Sequence, residues 1–141
     1  MGKPAGLGTN LFVLVSSTSH GEASITDEFR ISVVRASGSN VLAVAGDFDL
    51  ARASQFQEAR DEALADHDGA VVVDLSECRF IDSTGIACVI RTFQLAGEAG
   101  RSFALVGSRL RMKVLELVGL PELVPYYDTR DEALQALDGQ P

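Results

Sequence analysis

The residues with the clearest potential for chemistry are a serine and its neighbours in the segment Asp82-Ser83-Thr84-Gly85. The strongly apolar run Val71–Leu75 precedes this segment, and a helical pattern with one apolar face follows it. The first turn of a helix has unsatisfied backbone N–H groups and partial positive charge, so it tolerates a phosphate on a serine there. The pattern therefore predicts that Ser83 is phosphorylated, with a plain helix N-cap as the open alternative.

A hydrolytic role for Ser83 has little support because no general base accompanies it. The chain has two histidines, His20 in a predicted tail and His67 after a predicted helix end, and it lacks the Gly-x-Ser-x-Gly pattern of hydrolases. Cys78 in a predicted loop and Cys88 in a predicted buried helix do not have the spacing of metal ligands. We therefore predict no catalytic residues, no metal and no cofactor.

The charge balance narrows the range of partners. The 141 residues carry a formal net charge of −8 at pH 7, whereas nucleic acid or an anionic membrane would require a basic surface. The apolar stretch Leu11–Val15 is too short for a signal peptide core or a membrane span. We expect a cytoplasmic protein with a protein partner. The small basic cluster of Arg109, Arg111 and Lys113 is either a partner contact or a solvated face, and the second is favoured.

The elements that would position Ser83 follow the order β-β-α-β-α-β-α-β-α, which predicts one α/β domain with a mostly parallel mixed sheet. We place this domain at residues 25–141, opening with a hairpin, and a flexible tail at residues 1–24. The Leu11–Val15 patch in the tail either adds an edge strand or belongs to a disordered leader, and the leader is favoured.

Helix boundaries follow from capping residues. Asp49 is expected to cap a helix that runs to Asp66, and Thr129–Glu132 has the form of a capping box for the last helix. Another helix is expected to begin at Ser108. We expect four of its side chains to point inward: Leu110, Val114, Leu117 and Val118.

Two further aspartates lie where ligands bind in parallel sheets. Asp47 and Asp49 follow the second strand of the predicted domain, and the carboxyl ends of parallel strands share one edge of a sheet. We therefore expect both to share a surface with Ser83, the alternative being a helix cap at Asp49 and a turn residue at Asp47. Asp74 ends an apolar run as a receiver-domain phosphoacceptor does, but the acidic pair and lysine of such a site are missing, so a structural role is predicted.

Taken together, residues 29–137 resemble the STAS-domain family of anti-sigma-factor antagonists. Three blocks carry the resemblance: Val44–Asp49, similar to the family's Gly-(Glu/Asp)-x-Asp signature, Val71–Ser76, and Phe80–Gly85 with its apolar-Asp-Ser-(Ser/Thr)-Gly form. The resemblance implies that Ser83 is the phosphorylated residue. We assign the contacts with the partner to five residues: Asp47, Asp49, Asp82, Thr84 and Gly85.

The resemblance also implies a mechanism. In that family the anti-sigma factor is a serine kinase that binds the unphosphorylated antagonist, which frees the sigma factor, and phosphorylation ends binding until a phosphatase reverses it. The implied partners are therefore an anti-sigma factor of the serine-kinase type and a phosphatase, and the chain itself is not an enzyme. Because a phosphate adds charge locally, we expect a switch with little backbone movement.

Two other functions are weighed against this one. A STAS adaptor subunit of a lipid-transport ABC assembly would resemble this chain, but such subunits commonly lack the serine of the Asp-Ser-(Ser/Thr)-Gly form. A transporter tail domain would belong to a membrane-spanning chain, and no span is found in this sequence. The intact motif at Ser83 favours the antagonist.

Overall fold

The computed structural model describes residues 12–14, 29–66, 68–108 and 113–138. Its strands form one mixed sheet in chain order: β1 (Phe12–Leu14), β2 (Arg30–Ala36), β3 (Ser39–Phe48), β4 (Val71–Ile81), β5 (Phe103–Val106) and β6 (Tyr126–Tyr127). The helices are α1 (Ala53–Asp66), α2 (Ser83–Glu98), α3 (Lys113–Leu117), α4 (Leu120–Leu123) and α5 (Arg130–Asp138), and a 3-10 turn at Leu50–Arg52 precedes α1. The pairs β1–β2 and β2–β3 are antiparallel, and the other three are parallel. The predicted α/β class is confirmed.

The helices divide unequally between the two faces of the sheet. Successive side chains of a strand point to opposite faces, so β4 supplies Val73 to one core and Val72 to the other. The larger core includes Phe56 from α1, Val89 from α2 and residues of α3 and α4, whereas the smaller one includes Ala133 from α5. As a result, α2 and α5 lie on opposite sides of β4.

Three aromatic rings hold the turn from β3 into α1. The ring centroids of Phe29 and Phe48 are 5.8 Å apart, and those of Phe48 and Phe56 are 4.9 Å apart. The Arg52 guanidinium lies 5.9 Å from the centroid of the Phe29 ring. Burial of these rings fixes the path of the chain that connects the end of β3 to α1.

β4 is longer than the predicted strand, because it continues to Ile81 and leads directly into Asp82 and α2. Its pairing with β3 contains two register shifts, and the second, between Gly46 and Asp47, coincides with a φ of 91° at Gly46. Such bulges let a strand continue while its side chains are redirected. Cys78, predicted in a loop, is therefore a buried residue of this strand.

The segment after β5 departs from the predicted helix. Residues 109–112, including Arg109, Arg111 and the expected inward Leu110, lie outside the described residues, and the exposed Lys113 begins a short helix. Leu117 is 84% exposed and Val118 is 50% exposed, so the prediction that they point inward is wrong. The reason is that α3 ends at Leu117, after which Gly119 (φ 78°) starts α4.

β1 corresponds to the edge-strand alternative for the Leu11–Val15 patch. Val13 pairs with Val33 of β2, so a short segment of the predicted tail extends the sheet. The rest of residues 1–24, including His20, lies outside the described part of the chain, as does His67. The boundaries of the tail at 1–24 and of the domain at 25–141 stay predictions.

Two polar contacts anchor the first turn of α5. The Glu132 N–H donates to Thr129 Oγ1 at 3.1 Å, which confirms the predicted N-terminal cap. Arg130 Nε donates to Asp74 Oδ2 at 2.8 Å, while the Ser76 N–H donates to Asp74 Oδ1 at 2.9 Å. Asp74 is buried, and its partners confirm the structural role predicted for it.

Candidate functional site

Ser83 is the first residue of α2, and its side chain is exposed. The preceding Asp82 occupies the N-cap position, and its Oδ1 accepts hydrogen bonds from the N–H groups of Thr84 at 2.9 Å and Gly85 at 3.0 Å. The interpretation of Ser83 as a plain N-cap is therefore wrong, because its neighbour fills that role. The serine is presented at the surface in the first turn of the helix.

Asp82 also joins the ends of two strands. Its Oδ2 accepts a hydrogen bond from the Leu50 N–H at 3.3 Å, and its own N–H donates to the Phe48 carbonyl at 3.2 Å. Phe48 is the last residue of β3 and Leu50 begins the 3-10 turn after it, whereas Asp82 follows β4. One residue therefore holds the turn carrying Ser83 against the turn that follows β3.

Gly85 allows the helix to approach β3 closely. A Cβ at this position would lie 2.8 Å from the Phe48 carbonyl oxygen and 2.7 Å from Ile81 Cγ1, both too close for a real side chain. Gly85 is buried, so a partner would reach it only through its exposed neighbours. Its role in the described structure is the packing of α2 on the sheet.

The structure places Asp47 and Asp49 at the same edge of the sheet as Ser83. Asp47 pairs with Phe80, three residues before Ser83, and Asp49 directly follows β3. Asp49 stands at the N-cap position of the 3-10 turn, but its side chain makes no capping hydrogen bond, so the predicted cap is wrong. The Arg52 N–H donates instead to the Asp49 main-chain oxygen at 2.9 Å. Among the described residues, the buried Asp49 Oδ1 has no hydrogen-bond partner.

The sequence patterns above do not predict two apolar side chains that lie beside this site. Leu50 is 70% exposed and Phe80 is 52% exposed, and both lie within three residues of a site aspartate in the sequence. Apolar side chains are a common component of the centre of a protein contact surface. The sequence does contain a signal for the exposure of Leu50. This residue directly follows the polar segment Gly46–Asp49 and is not part of an apolar helical pattern.

Cys88, on the buried side of α2, lies in the larger core. Burial raises the pKa of Cys88 above its ordinary value of 9.0, and the charge of Asp82 adds to this increase. The positive charge of Arg60 and a hydrogen bond from Gln57 act in the opposite direction. Since a buried thiol with a raised pKa stays protonated at neutral pH, Cys88 behaves as a packing residue.

The described ranges contain no group of three or more His, Cys, Asp or Glu side chains placed to hold a metal ion. Within the same part of the chain, none of the helices combines the length and the apolar character that crossing a membrane requires. What the site offers is an exposed hydroxyl flanked by carboxylates and two apolar side chains, which is an arrangement suited to protein recognition and modification.

Comparisons with known proteins agree with this geometry. The chain is 28% identical over 116 residues to the anti-sigma-F factor antagonist RsfB of Mycobacterium tuberculosis, which covers 82% of this chain and 95% of that protein. The crystal structure of an anti-sigma factor antagonist from Mycobacterium paratuberculosis superposes with a TM-score of 0.72 at 28% identity, covering 82% of this chain and 98% of that one.

A second structure extends the likeness in fold. An anti-sigma-factor antagonist (STAS) domain protein from Planctomyces limnophilus has a TM-score of 0.64 at 24% identity, covering 76% of this chain and 97% of that one. The family model described as "Mlab, STAS domain" matches residues 31–125, which run from β2 to the turn before β6 and include the whole Ser83 site. The chain therefore belongs to the STAS domain family.

Proposed function

We propose that this chain is an anti-sigma-factor antagonist that binds an anti-sigma factor of the serine-kinase type and is released when Ser83 is phosphorylated. The observation that carries the proposal is the exposure of Ser83 in the first turn of α2, within a turn shaped by Asp82 and Gly85. The mycobacterial relatives, which bear the name of anti-sigma factor antagonists, support it. In this role the chain is a substrate and a binding protein rather than an enzyme.

The surface around Ser83 defines the chemistry of the partner. Asp47, Asp49 and Thr84 are partly exposed, and Leu50 adds an exposed apolar side chain beside them. A complementary surface would offer basic side chains to the aspartates and an apolar pocket to Leu50. Because sigma factors and their regulators act on transcription, we propose that the protein acts in the cytoplasm.

Phosphorylation would end binding through local charge. A phosphate adds a charge of roughly −1.5 to −2 at neutral pH, and burying it in an interface costs desolvation free energy. The Asp82 and Gly85 contacts hold the turn, so the release needs little backbone movement. A phosphatase that removes the phosphate would restore the binding form.

The test mixes the protein and ATP with each ATP-binding anti-sigma kinase of its source organism and locates phosphate by mass spectrometry. Wild type, Ser83→Ala and Thr84→Ala run in parallel, because Thr84 offers a second hydroxyl one residue away. We expect phosphate on wild type and Thr84→Ala, none on Ser83→Ala, and loss of the kinase complex as the phosphate appears.

Two other results would change the proposal. Binding of a kinase without phosphate on Ser83 would leave an antagonist that is regulated in another way. Absence of both binding and phosphate with every kinase would contradict the antagonist function and favour the STAS adaptor of a lipid-transport ABC assembly.

A further inference from the structure

We propose that Asp82 is a positioning residue that keeps the amino-terminal amides of α2 from binding a phosphate on Ser83, so that the phosphoryl group stays in solvent. This inference rests on the proposed phosphorylation of Ser83 and describes how the phosphorylated form is held. A phosphate in the first turn of a helix would ordinarily bind these amides.

The amides of the three residues that follow Ser83 are already engaged. The N–H groups of Thr84 and Gly85 donate to Asp82 Oδ1 at 2.9 and 3.0 Å, and the Ile86 N–H donates to the Asp82 main-chain oxygen at 3.0 Å. The two side-chain bonds use donors that would be orphans at the start of a helix. A phosphate on Ser83 could take them only by displacing the carboxylate.

A second contact also opposes displacement of the Asp82 carboxylate. Asp82 Oδ2 accepts a hydrogen bond from the Leu50 N–H at 3.3 Å, so removing the carboxylate would also release the turn after β3. The Asp82 N–H is fixed on the Phe48 carbonyl at 3.2 Å, which holds its backbone in place. The carboxylate is therefore hydrogen-bonded to two segments, the start of α2 and the turn after β3. The Ser83 side chain, in contrast, is exposed.

A phosphate on Ser83 would therefore lie beside the negative charge of Asp82, which is held in place by its hydrogen bonds. The phosphate gains less from the helix amides than it would in an open first turn, and it remains accessible to a phosphatase. The Leu50 turn keeps the same position in both forms, because its hydrogen bond to Asp82 persists. The switch thus acts through the phosphate itself and does not rearrange its surroundings.

The test installs phosphoserine at position 83 during translation, so it needs no kinase. Thermal unfolding compares the serine and phosphoserine forms in wild type, Asp82→Ala and Asp82→Asn. We expect phosphoserine to leave the wild-type Tm unchanged or lower, to raise the Tm of Asp82→Ala, and to give an intermediate shift in Asp82→Asn, because asparagine retains a capping oxygen without the charge. Thr129→Ala, which removes the cap of α5, should respond to phosphoserine as wild type does.

Amide hydrogen exchange at Leu50 gives an independent readout. Asp82→Ala should speed this exchange by about fivefold, the equivalent of one lost hydrogen bond, whereas phosphoserine in the wild-type chain should leave it unchanged.

The proposal would be overturned if phosphoserine raised the Tm of the wild-type chain as much as it raises the Tm of Asp82→Ala. Faster Leu50 exchange in phosphorylated wild type would overturn it as well, because it would show that the phosphate displaces Asp82. If Asp82→Ala does not fold, the Asp82→Asn shift and the wild-type Leu50 exchange decide the matter.

A kinase that ignores Ser83 would contradict the proposed function but would not affect these results. Conversely, a phosphate that binds the α2 amides would overturn this inference while leaving Ser83 a valid kinase target.

Discussion

Arg130 and Asp74 form an ion pair that joins the first turn of α5 to the middle of β4. Arg130 Nε lies 2.8 Å from Asp74 Oδ2, and the aspartate side chain is only 5% exposed against 37% for the arginine. A carboxylate at such depth requires a positive or hydrogen-bonding partner. The pair therefore fixes where α5 sits on the face of the sheet opposite α2.

Removing the arginine should destabilise the fold. Arg130→Ala leaves Asp74 with the bonds from the Ser76 N–H and hydroxyl but without its cation, and we expect the free energy of unfolding to fall by about 2 kcal/mol. Urea unfolding measures this loss. Arg91→Ala is the matched control, since the Arg91–Glu98 pair is long, at 4.0 Å, and exposed on both sides, and it should cost less than about 0.5 kcal/mol. Equal losses in the two variants would contradict the structural role of Asp74.

Local patterns in the sequence are sufficient to locate the site. The apolar run at 71–75 and the helical periodicity after Ser83 are strong short-range signals, and together they predict that a strand delivers Ser83 to a helix. The same edge of the sheet receives Asp47 and Asp49 because parallel strands share their carboxyl ends. These inferences need only the strand order.

The contacts within the site depend on distances between side chains and backbone that a sequence pattern does not specify. Asp82 and Ser83 are both good N-cap residues and are adjacent, so composition alone does not decide which one caps α2. The bond from the Leu50 N–H to Asp82 joins segments 32 residues apart, and the bulge at Gly46 leaves no clear mark on hydrophobic periodicity. The early end of α3 at Leu117, which exposes Leu117 itself, likewise follows from the path of the chain into α4.

A methyl group at Gly85 should displace α2 from the sheet. The Cβ of Gly85→Ala would meet the Phe48 carbonyl oxygen at 2.8 Å, and backbone cannot give way cheaply, so we expect a loss of about 1–3 kcal/mol in the free energy of unfolding. Gly97→Ala in the same helix has nothing within 4 Å of the new methyl and should stabilise by about 0.5–1 kcal/mol. Chemical denaturation of both variants is the measurement. Stabilisation by Gly85→Ala would disprove the close approach of α2 to β3.

The buried thiol of Cys88 should make stability depend on pH in the alkaline range. Burial raises the folded pKa of Cys88 above its ordinary value of 9.0, so as pH rises the unfolded chain loses this proton before the folded one does. The folded state then binds more protons, and the free energy of unfolding falls as pH increases above 9.0, whereas the contribution is fully present below that value. Urea unfolding at a series of pH values should show a steeper alkaline loss for wild type than for Cys88→Ala. Parallel curves for the two proteins would rule out this source of pH dependence.

The exposed side chain of Leu50 should contribute to partner binding without supporting the fold. At 70% exposure it has little apolar area to lose on truncation, so Leu50→Ser should leave the free energy of unfolding within about 0.5 kcal/mol of wild type. If the proposed partner covers this side chain, the same change should weaken the complex with the anti-sigma factor by about 5- to 30-fold in Kd. Titration calorimetry with the unphosphorylated protein measures this effect. Leu117→Ser, which alters an even more exposed leucine on α3, should bind as wild type does. Unchanged affinity of Leu50→Ser would remove the turn after β3 from the interface, even if Ser83 remained the phosphorylated residue.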